Sequence, residues 1–290
     1  MTIRNVGMLS TGTVAIRPQH VESDGTPPLW WLTTSRQWTD ALPINVYVIE
    51  HDNGLVLFDT GQDRRSVLDK NYFPGGLAGH IYKRLATFDI PPSATLTARL
   101  SALGYDVGDV HTAVLSHLHQ DHIGGLPELT HANIVVSDAE WATVDKRGAV
   151  LTGLLTSHIK LPGLSWTTVT PRAYPDPDIA PFTAAHDLFN DGSLIVVPTP
   201  GHTPGSLSLL VRRPDRPPLV LVGDLTYDVN LLARERVPGV GRRGTLIAST
   251  RLVNEYVERH PGAVVLAAHD PAATRLFKES AAQREPNETH

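Results

Sequence analysis

Four residues of the types that bind metals crowd into six positions of this chain: His117, His119, Asp121 and His122, within Leu115-Ser-His-Leu-His-Gln-Asp-His-Ile-Gly-Gly. Imidazole nitrogens and carboxylate oxygens are what hold zinc and similar divalent ions. Two apart on extended backbone, His117 and His119 face one side, and the turn that follows can bring Asp121 and His122 to the same point. Three more ligand-type residues each stand just beyond an apolar run: His202 in Thr199-Pro-Gly-His-Thr-Pro-Gly, Asp224 in Gly223-Asp-Leu-Thr-Tyr and His269 in Ala267-Ala-His-Asp. Seven ligands are too many for one tetrahedral ion that keeps a position open. They fit two ions, each with three protein ligands and a shared carboxylate. The 290 residues include 14 histidines and no cysteine, which excludes thiolate zinc sites, iron–sulfur clusters, disulfides and cysteine nucleophiles. Zinc, iron or manganese suits the remaining ligand chemistry better than copper(I). Five histidines stand in the ligand set; the other nine of the 14, among them His20, His51, His80 and His158, are read as structural.

Elements must bring these segments together. Apolar, partly β-branched runs at 44–50, 55–58, 112–115, 134–136, 194–197, 219–222 and 264–266 read as buried strands. Helical patterning lies between them: 94–103 capped by Ser93, 139–145 capped by Asp138, and 247–259 stopped by His260-Pro-Gly. Interleaved strands and helices indicate an α/β layered fold, and its C-terminal strand edge is where such sheets place their sites. Asn53-Gly54 between two apolar runs is a hairpin signal, which makes the sheet mixed. The chain reads as one domain over residues 1–280, with long proline-rich surface loops at about 17–43 and 161–184 and a polar tail over 281–290. Trp30, Trp31 and Trp38 fall in the first loop. They suit an apolar substrate pocket or a homodimer contact about equally well, with core packing close behind.

The net charge of −5 and the short basic runs argue against a nucleic-acid partner. No stretch approaches the ~18 consecutive apolar residues of a membrane span, and no secretory leader is recognisable, so a soluble cytoplasmic protein without a membrane partner is expected.

The order His-x-His-x-Asp-His, then His, Asp and His, each after a strand, resembles the metallo-β-lactamase superfamily over residues 44–269. Phe58-Asp-Thr-Gly resembles that family's early aspartate motif. The resemblance implies an αββα sandwich of two mixed β-sheets flanked by helices, with the metals at one edge. It further implies His117, His119 and His202 on one metal, Asp121, His122 and His269 on the other, Asp224 bridging, and Asp59 orienting a ligand. Tyr227, three residues after Asp224, resembles the N-acyl homoserine lactonase subgroup, whose tyrosine at that place helps bind the substrate carbonyl. The alternative for Tyr227 is packing beside the site. The activity implied is opening of a lactone ring by attack of a hydroxide bridging two divalent ions, zinc first, with iron, manganese or cobalt compatible. Asp121 would then pass a proton to the leaving ring oxygen. The partner implied is a small-molecule lactone or ester. Thioester hydrolysis of the glyoxalase II type shares all seven ligands, but its basic C-terminal region is matched here only by Arg275, Lys278 and Arg284. An organophosphate hydrolase and a mononuclear-iron dioxygenase are the remaining alternatives.

Overall fold

Strands whose faces are both covered have no reason to alternate polar with apolar, and the central strands of this protein do not. In the computed structural model, which describes residues 2–213 and 216–282, two sheets lie face to face. The first holds β1 (Ile3–Ile16), β2 (Leu42–His51), β3 (Gly54–Phe58), β4 (Ala86–Asp89), β5 (Val110–Val114), β6 (Asn133–Ser137) and β7 (Ser165–Val169), in the order β4-β1-β2-β3-β5-β6-β7. The second holds β8 (Arg172–Ala173), β9 (Ala184–Asp187), β10 (Leu194–Pro198), β11 (Leu207–Val211), β12 (Leu219–Leu221) and β13 (Val264–Leu266), in the order β13-β12-β11-β10-β9-β8.

Along β2, Tyr47 and Ile49 point between the sheets to meet Val196, Leu209 and Leu221. Val46 and Val48 point outward under Leu96, Leu100 and Ile123. On the far side, Leu246, Val253 and Tyr256 of the helix Arg243–Arg259 cover Ile195, Leu210 and Val220 of the second sheet. Helix, sheet, sheet, helix is therefore the layering, each buried side chain contributing about 1.5–3 kcal/mol.

Direction decides where the site lies. β3, β5 and β6 run parallel, as do β12 and β13. Two antiparallel steps, β12 to β11 and β11 to β10, return β10 to the direction of β12. The C-terminal ends of these strands share one edge, and the ligand segments follow them.

The hairpin at Asn53-Gly54 forms as expected, with His51 opposite Gly54 and Gly54 at φ +107°. Several expectations need correction. β1, β4, β7, β8, β9 and β11 were not among the strands expected. The stretch 17–43 carries two helices, Pro18–Val21 and Pro28–Thr34, and 161–184 carries β7, β8 and a turn of 3-10 helix, so neither is a structureless loop. The cap at the helix Leu96–Ala102 is Thr95, whose hydroxyl accepts from Ala98 N, with Ser93 in a preceding 3-10 turn. Ser137, and not Asp138, caps the short helix Asp138–Trp141, and the long helix starts at Arg243, four residues before Ile247. Of the expected tail, Ala281 and Ala282 finish the helix Ala273–Ala282, and 283–290 lie outside the described residues. Among the described residues no helix is long and apolar enough to cross a membrane.

Candidate metal centre

Left-handed or otherwise positive-φ residues turn the backbone at several of the strand ends beside the candidate ligands: Asp59, Gly201 and Gly223. Beyond β3, Asp59 adopts φ +63°, in the left-handed region that only short polar side chains and glycine visit readily. That turn aims its carboxylate across at the segment after β5. Oδ1 accepts from Ser116 N at 2.7 Å, and Oδ2 accepts from Ser116 Oγ at 2.9 Å and from His122 Nδ1 at 2.8 Å. Because the Ser116 proton goes to Asp59, Ser116 Oγ is the acceptor for His117 Nδ1 at 3.0 Å. One buried carboxylate thus sets two imidazoles with Nε2 as the free lone pair, the orienting role expected of Asp59.

The same logic fixes the other rings. His119 Nε2 donates to the Thr152 carbonyl at 3.0 Å, leaving Nδ1 as its lone pair. Thr152 can come that close because Gly153, at φ +93°, has no Cβ to strike the His119 ring. His269 Nδ1 donates to the Pro43 carbonyl at 2.8 Å, which leaves Nε2. Gly223, at φ +54° and packed against the Ser116 side chain, turns Asp224 inward.

Those lone pairs converge. His119 Nδ1 is 2.9 Å from His117 Nε2 and 3.0 Å from His202 Nε2. His122 Nε2 and Asp224 Oδ1, both buried and without a hydrogen-bond partner among the described residues, face each other at 3.2 Å. His269 Nε2 lies 3.4 Å from Asp224 Oδ1 and 3.5 Å from Asp121 Oδ2, and His202 Nε2 lies 3.5 Å from Asp224 Oδ2. Ring lone pairs and carboxylate oxygens at such separations repel unless cations or protons lie between them. The residues therefore fit divalent metal. Ligand atoms fall into the sets His117–His119–His202, Asp121–His122–His269 and His117–His122–Asp224. All seven expected ligands are together.

The electrostatics follow from burial and sign. Burial, reinforced by the neighbouring His122, His119 and His202 rings, pushes His117 well below the ordinary imidazole range. Burial also lowers His202 strongly against the pull of Asp224. For His122 burial acts downward too, but the Asp224 and Asp59 carboxylates outweigh it and hold the ring well above its ordinary value. Asp224 is held well below the carboxylate range, the surrounding histidines overcoming the effect of burial.

Above the ligands opens a cavity of about 520 Å³ whose walls include Ile16, Leu32, Ile81, Leu85, Phe88 and Leu151. Tyr227 stands at its floor. Its hydroxyl donates to Asp224 Oδ2 at 2.6 Å and its ring stacks on His269, with centroids 5.4 Å apart. None of the three tryptophans lines the cavity. On the helix Pro28–Thr34, Pro28 and Leu32 share the face that does, one turn apart. Trp31 is turned into the interior at 2% exposure, while Trp30 is 63% exposed beside Leu29. Trp38, 39% exposed, lies under the Arg17 guanidinium at 3.6 Å. The assignment of Trp30, Trp31 and Trp38 to the substrate pocket is corrected accordingly.

Three residues that spacing did not mark also belong here. His20 lines the cavity, with Nδ1 buried and unpartnered, and burial lowers it to about 4. Gln120 lines it beside the ligands. Glu140, wholly buried, accepts from Leu118 N through Oε1 and from Gly205 N through Oε2, both at 3.1 Å, tying the His117 and His202 loops together. A lone histidine, glutamine or glutamate has no local signal that would have found it.

Comparison with known proteins agrees with this geometry. The family model of the metallo-beta-lactamase superfamily matches residues 39–269. The N-acyl homoserine lactonase AttM of Rhizobium radiobacter is 30% identical over 245 residues, covering 82% of this chain and 86% of its own. The probable metallo-hydrolase Rv2300c of Mycobacterium tuberculosis is 30% identical over 295 residues, covering 95% and 90%. A solved N-acyl homoserine lactone hydrolase with the product N-hexanoyl-L-homoserine at its catalytic metal centre superposes with a TM-score of 0.74 at 21% identity, over 99% of both chains. With two packed mixed sheets and a His/Asp cluster at one edge, this chain belongs to the metallo-beta-lactamase superfamily.

Proposed function

We propose that the protein is a two-metal hydrolase that opens the ring of N-acyl homoserine lactones. The observation that carries this reading is Tyr227, whose hydroxyl is 2.6 Å from a ligand carboxylate at the floor of an apolar cavity, where a substrate carbonyl must approach the metal ligands. The named lactonase relatives and the product held by the solved hydrolase support it.

His117, His119 and His202 would hold one ion, Asp121, His122 and His269 the other, and Asp224 both. When bound, two such ions supply Lewis acidity toward the carbonyl and bring the pKa of water down toward ~7. Everything else is the work of the chain. Burial first, then the Asp224 carboxylate, pushes the Tyr227 phenol well above its ordinary value, so it keeps its proton at neutral pH. Turned from Asp224 Oδ2 to an incoming substrate, the phenol donates its one proton to the carbonyl oxygen as negative charge builds there. Asp121, at the cavity floor with its side chain 18% exposed, is placed to carry a proton to the ring oxygen as the C–O bond breaks. Ile16, Leu32, Leu85 and Phe88 offer an acyl chain apolar cover worth about 0.8 kcal/mol per methylene.

One zinc-loaded preparation challenged with an N-acyl homoserine lactone, a glutathione thioester and a phosphotriester tests this choice. The lactone is expected to give the ring-opened acid with a kcat/KM at least about tenfold above the others. Faster turnover of the thioester or the phosphotriester overturns the lactonase reading.

A further inference from the structure

Gln120 lies between the ligands His119 and Asp121, is 6% exposed, and lines a cavity whose walls are mainly apolar. A carboxamide has a donor end and an acceptor end, and here the fold fixes which end faces the cavity. A backbone amide sets the orientation. Asp63 N can only donate, so the atom of Gln62 that it meets at 2.9 Å is the oxygen Oε1. The Tyr72 hydroxyl, 3.3 Å away, donates to the same oxygen, and burial raises its pKa and keeps it protonated. The other end of Gln62 is therefore Nε2, which can only donate, and it meets Gln120 at 3.3 Å. The Gln120 atom there must be Oε1. Its Nε2 is left with no hydrogen-bond partner among the described residues and is not fully buried, on a residue that lines the cavity.

We infer that Gln120 is a specificity-determining residue whose amide N–H, oriented by Gln62, donates to the acyl carbonyl of an N-acylated lactone. This rests on the lactonase reading and extends it from the ring to the amide that marks the substrate class. A donor without a partner in apolar surroundings favours ligands that bring an acceptor and penalises those that do not. A lactone with a plain alkyl chain brings none beyond its ring.

The test compares N-octanoyl homoserine lactone with α-nonyl-γ-butyrolactone, which keeps the ring and chain length and lacks the amide. The quantity read is the ratio of kcat/KM for the first over the second, with zinc content measured in parallel. Gln120→Leu should lower that ratio about three- to tenfold, the worth of one neutral hydrogen bond, chiefly through KM and with zinc retained. Gln62→Glu leaves Gln120 in place and touches no metal ligand. A carboxylate at 62 can only accept, so it turns Gln120 Nε2 toward itself and Oε1 toward the cavity, and the ratio should fall at least as far. An unchanged ratio in both variants, with both lactones still hydrolysed, overturns the inference and leaves the lactonase reading standing. Wild-type protein inert toward both lactones overturns the two together.

Discussion

Asp59 governs two imidazoles through one carboxylate, His122 directly and His117 by way of Ser116. Asp59→Asn replaces an acceptor oxygen with a donor that His122 Nδ1–H cannot use, and zinc affinity is expected to fall about 10- to 100-fold in a competition titration with a chromogenic chelator. Unchanged affinity would mean that packing alone holds the rings. On the proposed reading Tyr227 acts on substrate, and it meets the candidate metal ligands through its hydrogen bond to Asp224 and its stacking on His269 without offering a ligand atom of its own. Tyr227→Phe should therefore lower kcat about 10²-fold while zinc content stays at the wild-type value; loss of zinc would assign the phenol a structural role. His20 has a consequence in acid. Its ring falls from an ordinary 6.5 to about 4 on folding because it is buried. Above 6.5 both states are neutral; as pH falls from 6.5 to 4 the unfolded chain takes up a proton that the folded protein refuses, so stability is lost across that window, about 3 kcal/mol by its acid end. His20→Gln removes that loss. Urea unfolding of the two proteins at pH 7 and pH 4.5, both with chelator, should show the smaller decline in the variant, and equal declines would contradict the burial argument.

Glu140 and Ser137 do at the level of elements what Asp59 does for side chains. Ser137 Oγ donates to the Gly205 carbonyl at 2.6 Å while Glu140 accepts from Gly205 N and Leu118 N, so the end of β6 clips the loop after β10 to the loop after β5. Glu140→Leu leaves two buried amides without an acceptor, each costing about 1–3 kcal/mol. A loss of about 2–6 kcal/mol in unfolding free energy by denaturant titration is expected, and wild-type stability would show that the clip is redundant. These contacts explain what could and could not be read from the sequence. The seven candidate ligands, which the fold brings together, were legible because chemistry forces their types and strand ends force their places. β2, β3, β5, β6, β10, β12 and β13 were legible because burial on both faces makes them continuous apolar runs. β1 was not: Arg4, Asn5, Ser10 and Thr13 break its pattern, and two register shifts interrupt its pairing with β2. Trp30 and Trp31 part company because residues 28–34 form a helix, and a helix turns successive residues by about 100°, sending Trp30 outward and Trp31 inward, while Trp38 lies beyond that helix against Arg17. Glu140, Gln62 and Gln120 act through partners 10 to 65 residues away, and no local spacing records such pairs.

At the scale of the whole molecule, two sheets each contribute ligands to a centre that neither completes. His117, His119, Asp121 and His122 follow the first sheet; His202, Asp224 and His269 follow the second. Metal held by both groups of residues would tie the sandwich together at its edge. Binding to the folded state alone stabilises it by mass action, so chelation should lower the melting temperature and zinc should restore it. The stoichiometry of activity is the sharpest question at this scale. Metal-stripped protein titrated with zinc, with acid release from an N-acyl homoserine lactone followed at each addition, is expected to gain activity up to a plateau at two ions per chain. A plateau at one ion per chain, or no acid release at saturating zinc, would contradict a two-metal lactonase.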